Sequence, residues 1–185
     1  MRKGKIFFFI GPSGAGKTVI SEYILKNRKN TVPAISSTTR EKRPNEINGK
    51  DMNFLTKEEF KEAIKLNKMV EYAEVFGNYY GTSIDSFNPI KKGKDVIKII
   101  EIQGAKTIKK KEIKATYFFL CPINLETLKE RLEKRKDKDI ELRMSQVQEF
   151  LNFKKEVDYI INTDGKTEKD IERCALEIMK IMDNI

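Results

Sequence analysis

The fold is decided near the N-terminus by the stretch Ile6-Phe7-Phe8-Phe9-Ile10-Gly11-Pro12-Ser13-Gly14-Ala15-Gly16-Lys17-Thr18. Its five apolar residues, three of them aromatic, predict a strand that is buried on both faces. The residues after them satisfy the pattern G-x-x-x-x-G-K-[ST], and helical periodicity begins near Lys17. A strand, a glycine-rich turn and a helix in this order predict a phosphate-binding loop, because glycines let consecutive backbone N–H groups turn toward phosphate oxygens.

Each position of this loop has an expected part in holding ATP. The predicted ATP-binding residues are Gly11, Pro12, Ser13, Gly14, Ala15, Gly16, Lys17 and Thr18. Lys17 is long enough to reach the β- and γ-phosphates, and Thr18 is the candidate metal ligand, since its hydroxyl suits the Mg²⁺ that accompanies ATP. The competing interpretation is a glycine-rich turn with an exposed lysine. The strand before the loop and the helix after it favour nucleotide binding.

The alternation of strand and helix continues along the chain. Apolar runs at 95–101, 115–120 and 159–161 predict further strands, with helical stretches between them. Thr167 is the expected N-cap of the last helix. The predicted fold class is therefore α/β, with a parallel sheet that carries helices on both faces.

Two stretches break this alternation. Residues 36–88 contain short segments and a capping box at Thr56 and Glu59, which predicts a small mixed α+β insertion. Residues 134–141 form a charge-dense connector, which is either a solvated surface loop or a mobile lid. The predicted core comprises 1–35, 89–133 and 145–185.

Composition narrows the chemistry. The 185 residues include 37 Lys and Arg against 28 Asp and Glu, a net charge of +9 that favours anionic partners without choosing among them. The chain has no histidine, which excludes a Ser-His-Asp triad and a His-ligated metal site. Cys121 and Cys174 are expected to be buried free thiols. Since no signal peptide or transmembrane stretch is evident, we expect a cytoplasmic protein that is not bound to a membrane.

Two further segments are candidates for binding a second anionic ligand. Ser36-Ser37-Thr38-Thr39-Arg40-Glu41-Lys42-Arg43 places two guanidinium groups three residues apart after a run of hydroxyls, an arrangement suited to clamping an anion. Val70 to Thr82 contains alternating residues and then a turn at Gly77-Asn78, which two tyrosines follow. By itself this second segment is more typical of an ordinary hairpin.

Together these segments resemble guanylate kinases, the enzymes that transfer a phosphoryl group from ATP to GMP. The resemblance spans nearly the whole chain and includes Asn48-Gly49-Lys50-Asp51 with Phe54, Glu101-Ile102-Gln103-Gly104-Ala105, and the pair Arg135 and Arg143. It implies a P-loop kinase core, a GMP-binding insertion over 36–88 and a short lid over 134–144. Mg²⁺ with ATP is the implied cofactor, and dGMP is left open as a second acceptor.

The resemblance also implies roles for individual residues. The implied catalytic residues are Lys17, Arg40, Arg43, Arg135 and Arg143. The implied GMP-binding residues are Ser36, Arg40, Arg43, Glu71, Tyr80, Thr82 and Glu101. Among these, the two arginines and Tyr80 would hold the GMP phosphate, while the others face or approach the base. A carboxylate at Glu71 suits guanine, whose N1–H and exocyclic amine are both donors, whereas adenine has an acceptor at N1.

Three features depart from the family pattern. Met52 stands where a tyrosine usually bonds the acceptor phosphate, and Ile99 stands where an acidic side chain usually helps to organise Mg²⁺. Lys98, beside it, cannot bind a cation. The lid is short, with Arg135 and Arg143 eight positions apart, and a continuous helix through it is one interpretation.

Other functions remain open from the sequence alone. A binding or scaffolding module of the same fold with little catalysis is the main alternative, and a kinase for a different monophosphate is another. Nucleic-acid binding is disfavoured, because the run Lys109-Lys110-Lys111 lacks an aromatic platform or a recognition-helix pattern. The oligomeric state cannot be predicted.

Overall fold

The computed structural model describes residues 2–75, 77–137, 139–165 and 167–185. The strands are β1 (Ile6–Ile10), β2 (Thr31–Pro33), β3 (Ser37–Thr38), β4 (Asn53–Phe54), β5 (Met69–Val75), β6 (Asn78–Ser83), β7 (Asp95–Ile99), β8 (Thr116–Cys121) and β9 (Tyr159–Asn162). The α-helices are α1 (Lys17–Asn27), α2 (Lys57–Lys65), α3 (Ile102–Lys110), α4 (Glu126–Lys134), α5 (Ile140–Ser145), α6 (Val147–Phe153) and α7 (Glu168–Asn184). Two 3₁₀ segments span Ile84–Lys92 and Lys154–Glu156. Phe76 and Lys138, which fall in the predicted insertion and lid, lie outside the described residues.

The strands form two sheets. The five-stranded sheet has the order β2-β7-β1-β8-β9, and β8 pairs in parallel with both β1 and β9. The four-stranded sheet has the order β4-β3-β6-β5, in which β6 runs antiparallel to β3 and β5 while β3 and β4 are parallel. The predicted α/β class with a parallel sheet is confirmed.

The chain divides into two compact units. The first unit comprises Met1–Ile6, Val32–Lys98 and Gln103–Lys114, and the second comprises Phe7–Thr31, Ile99–Ile102 and Ala115–Ile185. The core of the second unit contains the aromatic residues of β1 and β8, with Phe9 meeting Phe118 edge to face at 5.7 Å between ring centroids. Phe7, Phe8, Phe9 and Ile10 are all fully buried, as the apolar run predicts.

Local sequence signals in the first unit determine where α2 begins and where the β5–β6 hairpin turns. Thr56 and Glu59 form the predicted capping box, since the Thr56 hydroxyl accepts the Glu59 N–H and the Glu59 carboxylate accepts the Thr56 N–H. This box starts α2, whose buried Phe60 stacks on Tyr79 at 5.3 Å. The turn between β5 and β6 includes Gly77 at φ 73°. One face of α2 is thereby fixed against the hairpin.

The ends of the later helices are capped in three different ways. Thr167 caps α7 in a second capping box with Asp170, as expected. The Asn124 side chain accepts the N–H of Glu126 at the start of α4. The far end of α4 closes with Lys136 at φ 55°, where the Lys136 and Asp137 N–H groups donate to carbonyls of the preceding turn.

This last cap shows that a continuous helix through the connector is wrong. The interpretation failed because lysine- and glutamate-rich sequence favours helix at every position, while the left-handed residue that stops α4 is a lysine, without the usual glycine signal.

Two further sequence expectations can be compared with the fold. Cys121 and Cys174 are both free and buried, as expected. Within the part of the chain that the structure describes, no helix combines the length and the apolar composition needed to cross a bilayer.

Replacing Thr56 with Ala removes the side-chain acceptor at the start of α2 and should cost that helix about 1 kcal/mol. Amide hydrogen exchange in α2 should then accelerate about fivefold, because a loss of that size changes an opening equilibrium by this factor. Thr56→Ser retains a hydroxyl and serves as the control, with exchange close to that of the unmodified protein. Equal exchange in the Ala and Ser variants would show that the capping box does not stabilise α2.

Candidate active site

The glycine-rich loop connects β1 to α1 in the second unit through backbone that only glycine adopts readily. Gly14 and Gly16 have φ of 83° and 86°, in the left-handed region. At Gly11 the constraint is space, because a Cβ there would lie 2.0 Å from the carbonyl oxygen of Leu120 on β8. The pattern of glycines is therefore required both by the turn and by the close approach of a neighbouring strand.

Lys17, the first residue of α1, folds back over this loop. Its Nζ donates to the carbonyl oxygens of Gly11 at 2.6 Å and Pro12 at 3.0 Å. Burial lowers the pKa of Lys17, and the Glu101 carboxylate opposes that shift. The amine is therefore held at the loop in the position where the sequence predicts a phosphate contact.

A cavity of about 700 Å³ opens beside the loop within the second unit. Loop residues 13–18 line it together with Glu101 and Arg135, so the structure brings these predicted site residues together. Thr163, Gly165 and Thr167 contribute another part of the lining. A cavity of this volume, with backbone N–H groups at one end, suits a nucleotide.

Arg131 on α4 is a site residue that the sequence analysis missed. Its guanidinium donates to the carbonyl oxygen of Gly14 at 2.9 Å, and to those of Thr163 at 2.7 Å and Gly165 at 2.6 Å. It therefore links the phosphate-binding loop to the segment that follows β9. The sequence signal for it is that Arg131 lies one helical turn before Arg135, the residue that follows the last residue of α4.

The two arginines predicted for the lid share one acidic partner. The Asp137 carboxylate accepts from Arg143 Nε at 2.8 Å and lies 3.5 Å from Arg135 Nη2. Arg143 Nη1 also donates to the Ser13 hydroxyl of the loop at 2.7 Å. Asp137, which the sequence analysis did not single out, thus orients both cations in the second unit.

In the first unit, Arg40 is engaged by an acidic residue that the sequence analysis also missed. Its two terminal nitrogens donate to the two carboxylate oxygens of Glu46 at 3.0 and 2.7 Å. The same carboxylate accepts the backbone N–H of Arg43 at 2.8 Å, while the Arg43 side chain is exposed. The hydrogen bond from Arg40 is the main reason that the pKa of Glu46 falls to about 2. A planar fork binding two oxygens is the geometry that an arginine also offers to a phosphate.

The residues around Arg40 complete this cluster. Its guanidinium lies over the Phe54 ring at 5.6 Å, and Met52 Sδ is 3.8 Å from its Nη2. Glu46 is the main cause that raises the pKa of Arg40, and the nearby Tyr80 raises it further. The structure thus places Arg40 and Tyr80 together, as predicted, and puts the departing residue Met52 in the same cluster.

Three of the residues predicted to face a purine base, Ser36, Glu71 and Thr82, lie in the first unit, whereas Glu101 belongs to the second unit, where it lines the cavity. Glu71 and Thr82 are paired across β5 and β6, and the Thr82 hydroxyl donates to Glu71 Oε1 at 2.6 Å. A Cβ at Gly104 would lie 3.3 Å from Glu71 Oε2, so glycine leaves room for the carboxylate there. Ser36 is half-buried, and its hydroxyl accepts a hydrogen bond from Lys98 on β7. Thr82 is fully buried and holds Glu71 in place.

The oxygen donors of the site are consistent with a magnesium ion that is carried mainly by the nucleotide. Thr18 is exposed at the start of α1, and Glu101 lines the same cavity. Ile99 also lines the cavity, so the departure noted in the sequence lies at this place. Among the described residues, no three Asp, Glu, Cys or His side chains come together as a protein-only metal site.

Comparison with known proteins agrees with this arrangement. A family model described as guanylate kinase matches residues 3–182. The chain is 42% identical over 164 residues to a guanylate kinase of Thermotoga maritima, covering 86% of this chain and 79% of that protein. It is 37% identical over 185 residues to a guanylate kinase of Lactococcus lactis, covering 98% and 88%.

A solved structure gives the same assignment. The crystal structure of guanylate kinase from Anaplasma phagocytophilum superposes with a TM-score of 0.72 and 26% identity, covering all of this chain and 87% of that one. The resemblance inferred from the ordered motifs is confirmed. By sequence along nearly its whole length and by its fold, the chain belongs to the guanylate kinase family.

Proposed function

We propose that this chain transfers the γ-phosphoryl group of ATP to GMP, giving ADP and GDP. The observation that carries the proposal is the intact phosphate-binding loop, with Lys17 held on the Gly11 and Pro12 carbonyls and Thr18 exposed beside it, in a chain of this family. A scaffolding module would have no need to keep a lysine and a hydroxyl at these positions. No observation favours that alternative.

The donor nucleotide is assigned to the cavity of the second unit. Backbone N–H groups of residues 13–18 would bind the phosphates, and Lys17 would exchange its carbonyl acceptors for phosphate oxygens. Arg135 and Arg143, already oriented by Asp137, would neutralise charge that develops on the transferring group. Arg131 would act indirectly, because it fixes the loop carbonyl of Gly14.

Mg²⁺ bound to ATP is part of the proposal. The Thr18 hydroxyl would hold it together with phosphate oxygens and water, and Glu101 is the carboxylate in the lining of that cavity. The ion would supply charge neutralisation on the phosphates. With Ile99 in place of a carboxylate, this chain contributes fewer oxygens of its own than the family pattern implies.

The acceptor is assigned to the first unit. Arg40, Arg43 and Tyr80 would hold the phosphate of GMP, with Glu46 keeping the Arg40 guanidinium in a fixed orientation. Met52 supplies only a weak acceptor and no hydroxyl to this phosphate. A phosphate monoester is already ionised near neutral pH, so no separate general base is required and the absence of histidine is no obstacle.

The base is assigned to Ser36, Glu71 and Thr82 of the first unit. Glu71 keeps lone pairs beyond the one that takes the Thr82 hydroxyl, and these suit the N1–H and exocyclic amine of guanine. The division into a core, a GMP-binding insertion over 36–88 and a lid over 134–144 belongs to the same proposal.

The first test is ADP formation from ATP and Mg²⁺ with GMP, dGMP, AMP, UMP and CMP as acceptors. We expect turnover confined to the guanine nucleotides, because only guanine offers two donors to Glu71. Lys17→Ala should lower kcat by at least about a hundredfold, the scale seen when one charge-stabilising donor is removed. Lys26→Ala, an exposed lysine at the end of α1, is the matched control and should retain activity.

Silence across all five acceptors, in folded protein that binds ATP and GMP, would overturn the kinase assignment and support the binding module. Near-normal turnover by Lys17→Ala would show that the donor phosphates are bound elsewhere.

Arg43→Ala should raise KM for GMP by about tenfold to a hundredfold while KM for ATP changes little, since a hydrogen bond to a charged group is worth about 1.5–3 kcal/mol. Steady-state kinetics with each substrate varied in turn measures both constants. Lys61→Ala, which removes one exposed positive charge from α2 of the same unit, is the control. An equal rise in both KM values would place Arg43 outside the acceptor site.

Glu71→Gln replaces one carboxylate oxygen with an amide that donates, and should reduce kcat/KM for GMP by about a hundredfold with a smaller change for AMP. Glu74→Gln, at an exposed site three residues further along β5, controls for loss of charge from that strand. A Glu71→Gln enzyme with undiminished preference for GMP over AMP would refute the assignment of Glu71 to the base.

A further inference from the structure

Lys98 is a buried cation that the proposed mechanism does not use. It lies in β7 between Ile97 and Ile99 and is only 8% exposed. Its Nζ donates to the hydroxyl of Ser36 and, at 3.4 Å, to the carbonyl oxygen of Ala34. Burying an ammonium group is costly unless acceptors surround it, so these contacts hold the side chain in one direction.

The charge of Lys98 is retained near neutral pH. Burial lowers the pKa of Lys98 to about 8, and the Glu71 carboxylate opposes that shift. At pH 7 the charged form therefore exceeds the neutral form by about tenfold. The ammonium donates directly to Ser36, one of the residues assigned to the base, and the charge of Glu71, another of them, raises the pKa of Lys98.

Contact with Lys98 restricts what Ser36 can offer to a ligand. A hydroxyl has one proton and two lone pairs, and the ammonium takes one of the lone pairs. The positive charge beside Oγ also repels a second donor and attracts an acceptor. The half-buried Ser36 hydroxyl is thereby biased toward donating its proton to a ligand.

Glu71, in contrast to Ser36, offers a ligand only hydrogen-bond acceptors. Its Oε1 takes the Thr82 hydroxyl, and the remaining lone pairs accept only from donors. The first unit therefore presents an acceptor at Glu71 and a donor at Ser36. Guanine matches this pair, with donors at N1 and the 2-amino group and an acceptor at O6. Adenine mismatches it, with an acceptor at N1 and an amine at C6.

We propose that Lys98 is a specificity-determining positioning residue, which makes the Ser36 hydroxyl a donor to the 6-oxo group of guanine and so disfavours purines with a 6-amino group. This proposal rests on the proposed function. It adds to that function a second element of base selection, separate from the carboxylate of Glu71.

The test compares GMP with 2,6-diaminopurine riboside 5′-monophosphate, which keeps the 2-amino group, carries an amine in place of O6 and has an acceptor at N1. Since the change at N1 meets the same Glu71 in every variant, a change in preference on substituting Lys98 reports on the 6-position. Lys98→Met keeps an unbranched side chain that ends one atom earlier, and removes the charge. We expect its preference for GMP over the analogue, measured as the ratio of kcat/KM values, to fall about tenfold. The fall should come from a higher KM for GMP, while KM for ATP stays unchanged. Lys111→Met removes a lysine whose amine donates to the Met69 carbonyl in the same unit, and should keep the preference.

A double-mutant cycle with Ser36→Ala shows whether Lys98 acts through the hydroxyl. If it does, Lys98→Met should change the preference little once Ser36 is Ala. Lys98→Gln, whose uncharged amide can donate but ends one atom short of the lysine amine, should lie between the wild type and Lys98→Met. This variant also serves if Lys98→Met fails to fold, which thermal unfolding would reveal.

An unchanged preference in Lys98→Met or Lys98→Gln would overturn the proposal. So would losses from Lys98 and Ser36 substitutions that simply multiply in the double variant, since that would indicate a structural role for the lysine. A wild-type enzyme that phosphorylates GMP while the variants keep their preference refutes only this inference. A wild type inactive with GMP refutes the proposed function itself.

Discussion

The close approach of Gly11 to the carbonyl oxygen of Leu120 is the constraint on which the donor site depends. A side chain at this position would meet the neighbouring strand at 2.0 Å, so β1 and β8 can lie in register only with glycine there. The chain then leaves the sheet in a turn whose other glycines have positive φ, and α1 begins at Lys17. Burial of the aromatic β1 strand thus fixes where the glycine-rich loop begins. The loop in turn sets the direction of its backbone N–H groups and of the Lys17 amine.

In the second unit, hydrogen bonds within the protein hold the cationic side chains of the donor site in position. Lys17 is held by two loop carbonyls, Arg131 by three carbonyls from two segments, and Arg143 by Asp137 and Ser13. Cations that are already oriented lose less side-chain entropy when an anion replaces their present acceptor. Arg40 and Glu46 form the equivalent pair in the first unit. Orientation before binding suits phosphoryl transfer, in which alignment and charge neutralisation supply most of the catalysis.

The sequence predicted those parts of the molecule whose cause is local. The buried β1 run, the glycine pattern and the capping boxes at Thr56 and Thr167 each depend on residues within a few positions of one another. Glu46 and Asp137 lie within six residues of the arginines they bind, but the local loop conformation decides which nearby carboxylate turns toward the arginine, so the sequence alone did not identify them. Arg131 was missed because its acceptors, the carbonyls of Gly14, Thr163 and Gly165, come from distant parts of the chain. The continuous helix through the connector failed because propensity does not reveal a lysine in the left-handed conformation.

Lys98 differs from these missed residues, because its place in the sequence already marks it as unusual. A lysine between Ile97 and Ile99 in an apolar strand is anomalous, since an unpaired buried ammonium would be strongly unfavourable. In the structure, the Lys98 amine donates to the Ser36 hydroxyl, and the Glu71 carboxylate favours its charged form. A buried cation next to a hydroxyl makes that hydroxyl a poor acceptor, while a carboxylate can only accept. The two groups therefore impose opposite requirements on the edge of a bound base, and guanine, with its carbonyl and adjacent donors, satisfies both.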